Sequence, residues 1–163
     1  MENLFSNVKR EENMDKFFRN FLTMKIGRIP RFDRVYDEFK VYRAKQEKLS
    51  IRDLCQDLLN HAKYYTNVLY KRTSNKTLER LYRDINELNM DVIFPFLLAI
   101  HDDTERKKIN ENTLIECIKL CISYVVRRNI CNMPANSLNK TFATLKHKIC
   151  ITDYINSLKA YFT

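Results

Sequence analysis

An all-α domain, an irregular bundle of about six to eight amphipathic helices, is the fold this sequence predicts. Three observations predict it. The 163 residues include one glycine, Gly27, and three prolines, too few breakers for the hairpins of a sheet protein. Apolar residues recur at three- and four-residue spacing along most of the chain. A chain of this length buries roughly 68–70% of its unfolded surface, enough to fold without metal or disulfides. One helical domain spanning residues 1–163 is expected, with residues 1–12 as a disordered arm.

The elements follow in order. "NMDKFFRNFLTMKIG" sets Met14, Phe17, Phe18, Phe21 and Leu22 on one face, and Gly27 stands where a left-handed cap ends a helix. Pro30 marks a fresh start, and "RFDRVYDEFKVYRAKQ" stripes Phe32, Val35, Tyr36, Phe39 and Tyr42. Ser50 and Asp53 form a capping box for a helix with Ile51, Leu54, Cys55, Leu58, Leu59, Ala62 and Tyr65 on its apolar face. "RTSNK" interrupts, and "TLERLYRDINELNM" resumes with Leu78, Leu81, Tyr82, Ile85 and Leu88. Asn89 and Asp91 are placed to cap "VIFPFLLAI", which is apolar on all sides and so reads as a buried helix, with Pro95 tolerable in its first turns.

"HDDTERKKINEN" reads as a charged, solvated loop with a cap near Asn110 or Asn112. The longest pattern follows, "TLIECIKLCISYVVRRNIC", with Leu114, Ile115, Ile118, Cys121, Ile122, Val125 and Val126 core-like. After the turn "NMPANS", "SLNKTFATLKHKI" sets Leu138, Phe142 and Leu145 on one side and Lys140, Lys146 and Lys148 on others. The expected joint is an αα-hairpin: Arg127 and Arg128 close one helix, and Asn136 or Ser137 caps the next. "TDYINSLKAYFT" keeps Tyr154, Ile155, Leu158, Tyr161 and Phe162 apolar to the end. A chain stopping on such a helix reads as a fragment of a longer multidomain protein.

Charge narrows the partners. The formal net charge is +9, and residues 110–163 are the most one-sided third, with 7 basic and 3 acidic side chains. That balance admits nucleic acid, an anionic membrane or an acidic protein. No apolar run approaches the ~20 residues of a membrane span. Five cysteines behind no signal-like leader read as free thiols of a reducing cytoplasm.

Catalytic machinery is not visible. Cys117 and Cys121 lie one helical turn apart without a second pair to complete a metal site, so packing explains them better. His61, His101 and His147 are scattered, and "HDD" lies in the expected loop. A single glycine excludes a P-loop or dinucleotide fingerprint. No cofactor and no metal are expected. Tyr64, Tyr65 and Tyr70 beside Lys63, Lys71 and Arg72 offer a weak stacking surface for single strands. Arg127 and Arg128 have three readings: cations at the negative end of a helix dipole, a fork tying down the turn, or a grip on phosphate. The structural roles rank first and phosphate second. Adjacent helical residues point about 100° apart, so one arginine faces inward and the other outward.

Three stretches together resemble one family. "MDKFFRNFLTMKIGRIPRFDRVYDEFK", "DLLNHAKYYTNV" and "SYVVRRNICNMPANSLNKTFATL" are similar to the helical middle region of the GmrSD-type, modification-dependent restriction endonucleases. The signature positions are Tyr124, Arg127, Arg128, Ile130, Cys131, Asn136, Leu138, Asn139, Lys140, Phe142 and Leu145. Such proteins join an N-terminal ParB/sulfiredoxin-like domain, associated with nucleotide hydrolysis, to this region and then to a C-terminal His-Me nuclease domain. This chain has neither the "DGQQR" of the first nor a His-centred nuclease motif. The resemblance therefore implies a non-catalytic connector of a phage-defence restriction protein whose parent is a nucleotide-dependent endonuclease. Its expected partners are the parent's ParB-like and nuclease domains and duplex DNA. Arg127, Arg128, Lys140, Lys146 and Lys148 are the candidate DNA or interdomain contacts. The alternative is a protein-interaction module without a nucleic-acid role.

Overall fold

The computed structural model describes residues 10–162. Residues 1–9 of the expected arm lie outside the described residues, and Arg10–Glu12 already belong to the first helix. Among the described residues the fold is all-α, with eight α-helices and no strand. They are α1 (Arg10–Ile26), α2 (Val35–Lys45), α3 (Ile51–Leu69), α4 (Lys76–Glu87), α5 (Phe94–Glu105), α6 (Glu111–Ile130), α7 (Ala135–Thr144) and α8 (Tyr154–Tyr161). Single 3-10 turns lead into α2, α5 and α8 and follow α7.

The helix ends have local causes. Gly27 adopts φ +69° and returns its N–H to the Thr23 carbonyl at 2.9 Å, which closes α1 with the left-handed cap that glycine tolerates best. Ser50 Oγ accepts the Asp53 N–H at 3.0 Å and donates to its carboxylate at 2.7 Å. Asn75 accepts from Thr77 and Leu78, and Asn110 accepts from Thr113 at 2.8 Å. Pro95 sits in the first turn of α5, where its missing N–H costs nothing. Asn89 and Asp91 do not cap α5. Asp91 instead opens the 3-10 turn Asp91–Ile93, and no side chain caps either element.

Helix α5 is the axis of the molecule. Phe94 to Ile100 are all buried, and α1, α3, α6 and α7 pack around them. Leu138, Phe142 and Leu145 fill the space that α7 covers. The αα-hairpin expected of α6 and α7 is corrected. α7 lies chiefly against α5, α1 and the turn Asp91–Ile93, while α6 takes α8 as its neighbour. The reason is the ring set at the end of the chain. Tyr124 of α6 stacks on Phe162 at 4.2 Å between centroids with planes 11° apart, and Phe142 meets both rings. The apolar stripe of residues 154–162 is thus covered within the bundle, with Tyr154, Leu158 and Phe162 buried.

"HDD" is the second correction. His101, Asp102 and Asp103 belong to the last two turns of α5, not to a loop, and both aspartates are buried. They tolerate this because partners reach them from elsewhere. Arg106 binds Asp102 at 2.8 Å, while Lys108 and the Tyr154 hydroxyl bind Asp103 at 3.1 and 3.2 Å.

Candidate nucleic-acid interface

Two segments far apart in sequence form one basic groove. The chain leaving α1 turns at Gly27 and runs through Arg28 and Ile29, and α7 brings Lys140, Thr141, Ala143 and Thr144 opposite. Lys148 and Tyr161 close the end of a groove of about 560 Å³. Among the described residues no carboxylate lines it. Lys148 Nζ donates to the Tyr161 hydroxyl at 3.1 Å and sits 5.0 Å from the ring centroid, so its position is fixed. Arg28 makes a fork with Glu38, at 2.9 and 2.6 Å, which lies off the groove. That pairing raises the guanidinium further above its ordinary value and holds the Glu38 carboxyl below its own. Arg28 is therefore already neutralised by Glu38, and Lys140 and Lys148, which have no ion-pair partner among the described residues, are the cations able to take phosphates of a nucleic-acid backbone.

The structure separates the five candidate contacts. Lys140 and Lys148 come together in the groove. Lys146 does not join them. It is half-buried, and desolvation lowers its ammonium although Asp103 and Asp102 at the end of α5 oppose that effect. Its charge faces inward to those aspartates. Arg127 is exposed on α6, with Nε 3.4 Å from the Ser123 carbonyl one turn back. Arg128 is turned in. Its guanidinium donates to the Tyr124 hydroxyl and the Pro134 carbonyl, each at 3.4 Å, and to Ser137 Oγ, and it lies 5.5 Å from the Tyr124 ring centroid. Its Nε is buried without a partner among the described residues.

The other signature positions divide the same way. Tyr124, Leu138, Phe142 and Leu145 pack, whereas Ile130, Cys131 and Asn136 are exposed. Asn139 is exposed beside a second cleft, discussed below. Neither Asn136 nor Ser137 caps α7, because the helix starts earlier, behind Pro134. Ser137 Oγ instead donates to the Pro134 carbonyl at 2.8 Å.

No family model, no curated protein and no solved structure matches the chain. Function therefore rests on the chemistry of these surfaces. Among the described residues no group of three or more His, Cys, Asp or Glu side chains could hold a metal ion, and no helix is long and apolar enough to cross a membrane. Burial pushes the Cys117 thiol up to about 12 and that of Cys121 well above its ordinary value, which makes both poor nucleophiles. The Tyr64 and Tyr65 stacking surface is corrected, since both are buried and only Tyr70 reaches solvent, beside Arg72.

The sequence reading missed Arg28, Tyr161 and a buried charge group. Lys25 Nζ binds Asp57 at 2.7 Å, and His61 Nδ1 lies 2.8 Å from the Asp57 carbonyl and 3.2 Å from its carboxylate. Burial alone would raise the Asp57 carboxyl, but the hydrogen bonds from His61 and Lys25 outweigh it and hold it at about 2. The spacing of Asp57 and His61, one turn apart on the predicted helix, was the available signal. Nothing local pointed to Lys25.

Proposed function

We propose that this chain is the helical connector of a phage-defence, modification-dependent DNA restriction protein, and that it meets DNA backbone through the groove of Arg28, Lys140 and Lys148. It performs no reaction itself and sets the spacing of a nucleotide-hydrolysing and a nuclease domain. The observation that carries the DNA contact is the groove, where Arg28, Lys140 and Lys148 gather beside the half-buried Tyr161 with no carboxylate in the lining among the described residues. The motif resemblance supports the connector role. The shape of the bundle supports it too, with α1 and α7 pinned to one rigid axis at α5.

Duplex DNA binding, measured at two or more salt concentrations, tests the contact. Neutralising two phosphates, at Lys140 and Lys148, predicts a slope of log affinity against log salt of about −2, since Arg28 is already paired with Glu38. Lys140→Ala and Lys148→Ala are each expected to reduce that slope by about 1, whereas Lys146→Ala leaves it unchanged because its charge is turned inward. Absence of binding at low salt would remove the DNA contact from this chain.

A second reading has its own observation. Phe32, Tyr36 and Val41 are exposed around α2, and Phe18, Val35 and Phe39 deepen the surface between α1 and α2. Such a surface suits a protein partner. A Tyr36→Glu variant that loses a co-purifying domain while keeping its DNA affinity would favour that reading for this face.

A further inference from the structure

A cleft separate from the basic groove holds an arginine with no ion-pair partner among the described residues. It lies between α1, α7 and the turns that precede α2 and α5, and has a volume of about 280 Å³. Lys16, Arg19, Asn20, Phe32, Asp91 and Asn139 line it. Three stretches distant in sequence, "FFRN", "RIPRF" and "LNK", supply Arg19 and Asn20, Phe32, and Asn139 respectively.

Arg19 is held in place on two sides. Its Nε donates to the Pro30 carbonyl at 2.8 Å, and its guanidinium lies 4.2 Å from the centroid of the Phe32 ring. Both contacts leave its two terminal nitrogens in a fixed fork. Burial lowers its protonation, and no carboxylate among the described residues forms an ion pair with it. Partial burial of a charge without an opposite charge is unfavourable, and an incoming anion removes that imbalance. Lys16 is engaged by Glu12 at 3.0 Å. Asp91 is the one acidic side chain in the lining, and it is not an ion-pair partner of Arg19. The amides of Asn20 and Asn139 supply neutral donors beside the fork.

We propose that this cleft binds the phosphate group of a small phosphoester, with Arg19 as a bidentate donor and Asn20 and Asn139 completing the contacts. A planar fork matches two phosphate oxygens, and the volume suits a phosphate with a group the size of one sugar rather than a strand. The site stands independently of the DNA contact proposed above, because the two share no charged residue. The phosphate could belong to a free metabolite or to the 5′ end of a nucleic-acid strand, and the two sources are distinguishable.

The test is a titration of the full chain, followed by amide and side-chain NMR shifts. The probes are inorganic phosphate, glycerol phosphate, and a dinucleotide with and without a 5′-phosphate. Saturable binding is expected, with shifts centred on Arg19, Asn20 and Asn139. Arg19→Lys, which keeps the charge and loses the fork, is expected to weaken it roughly tenfold or more. Asn139→Ala, at an exposed position that leaves folding intact, weakens it by a smaller factor, and Lys148→Ala has no effect. Tighter binding of either glycerol phosphate or the phosphorylated dinucleotide supports the site and names the source. Four results would overturn it: no saturation up to about 10 mM, where affinity is marginal; undiminished binding in Arg19→Lys; equal binding of the unphosphorylated dinucleotide; or shifts confined to Arg28, Lys140 and Lys148.

Discussion

Arg128 shows how much one side chain can settle. It ties α6 to the turn before α7 through Tyr124, Pro134 and Ser137. Arg128→Ala is expected to destabilise the fold by about 1 kcal/mol, the net worth of hydrogen bonds to turn groups that water can otherwise serve. Arg128→Lys should recover little, because an ammonium cannot reproduce the fork. Urea unfolding midpoints decide it, and a lysine variant as stable as the parent would contradict the role. Two buried titratable groups set the acid limit. His101 is desolvated beside Tyr64 and Tyr82, which lowers it from 6.5 to about 4. Between those values the unfolded chain takes up a proton that the fold resists. Stability therefore falls as pH drops from 6.5 to 4, by up to about 3 kcal/mol, and His101→Gln should flatten that limb. Asp57 acts lower. Its folded value of about 2 lies below the ordinary 3.8, so its contribution is complete above pH 4 and disappears toward pH 2. Asp57→Asn is expected to cost about 2 kcal/mol at pH 7, and the difference should close on acidification. A constant difference across that range would show that packing, not charge, is responsible.

At the scale of elements, the sequence shows where helices begin and end better than it shows what they touch. Ser50, Asn110, Gly27 and Pro95 act through bonds within one turn, so local pattern reveals them. The partner of α6 was not legible. Both α7 and α8 carry an apolar stripe, and the stack of Tyr124 on Phe162, with the burial of Tyr154 and Leu158, places α8 alongside. "HDD" was misread for a related reason. Three polar residues look like a solvated loop: Arg106 and Lys108 pair with the aspartates within the same stretch, but Tyr154, which covers Asp103, stands 51 residues further on. The same limit applies to the groove, where Lys140 and Lys148 were legible as basic positions but Arg28 and Tyr161 join them only through folding. The α6–α8 contact carries a measurable load. Phe162→Ala removes a buried ring and its stacking, and is expected to cost about 3 kcal/mol. Hydrogen exchange should then speed up first along α8 and the facing turns of α6. Unchanged protection there would show that α8 is held by Tyr154 and Leu158 alone.

At the scale of the whole molecule, the two candidate surfaces share a neighbour. Ile29 lines both the basic groove and the Arg19 cleft, so the short segment after Gly27 shapes each of them. A side chain at position 27 would need an unfavourable backbone angle and would come within 3.4 Å of the His147 imidazole. Gly27→Ala is therefore expected to weaken DNA and phosphate binding together, with about 1 kcal/mol of destabilisation. Separate losses in Lys148→Ala and Arg19→Lys, against a joint loss in Gly27→Ala, would be the pattern of two sites on one hinge-like support.

The central position of α5 has one more consequence. Its seven buried residues from Phe94 to Ile100 are enclosed by neighbours drawn from both sides of the sequence. No cut between α1 and α8 can divide the described bundle into two pieces that each keep a closed interior. Limited digestion within the described bundle should accordingly go from the whole bundle to small peptides, with no long-lived half of it in between.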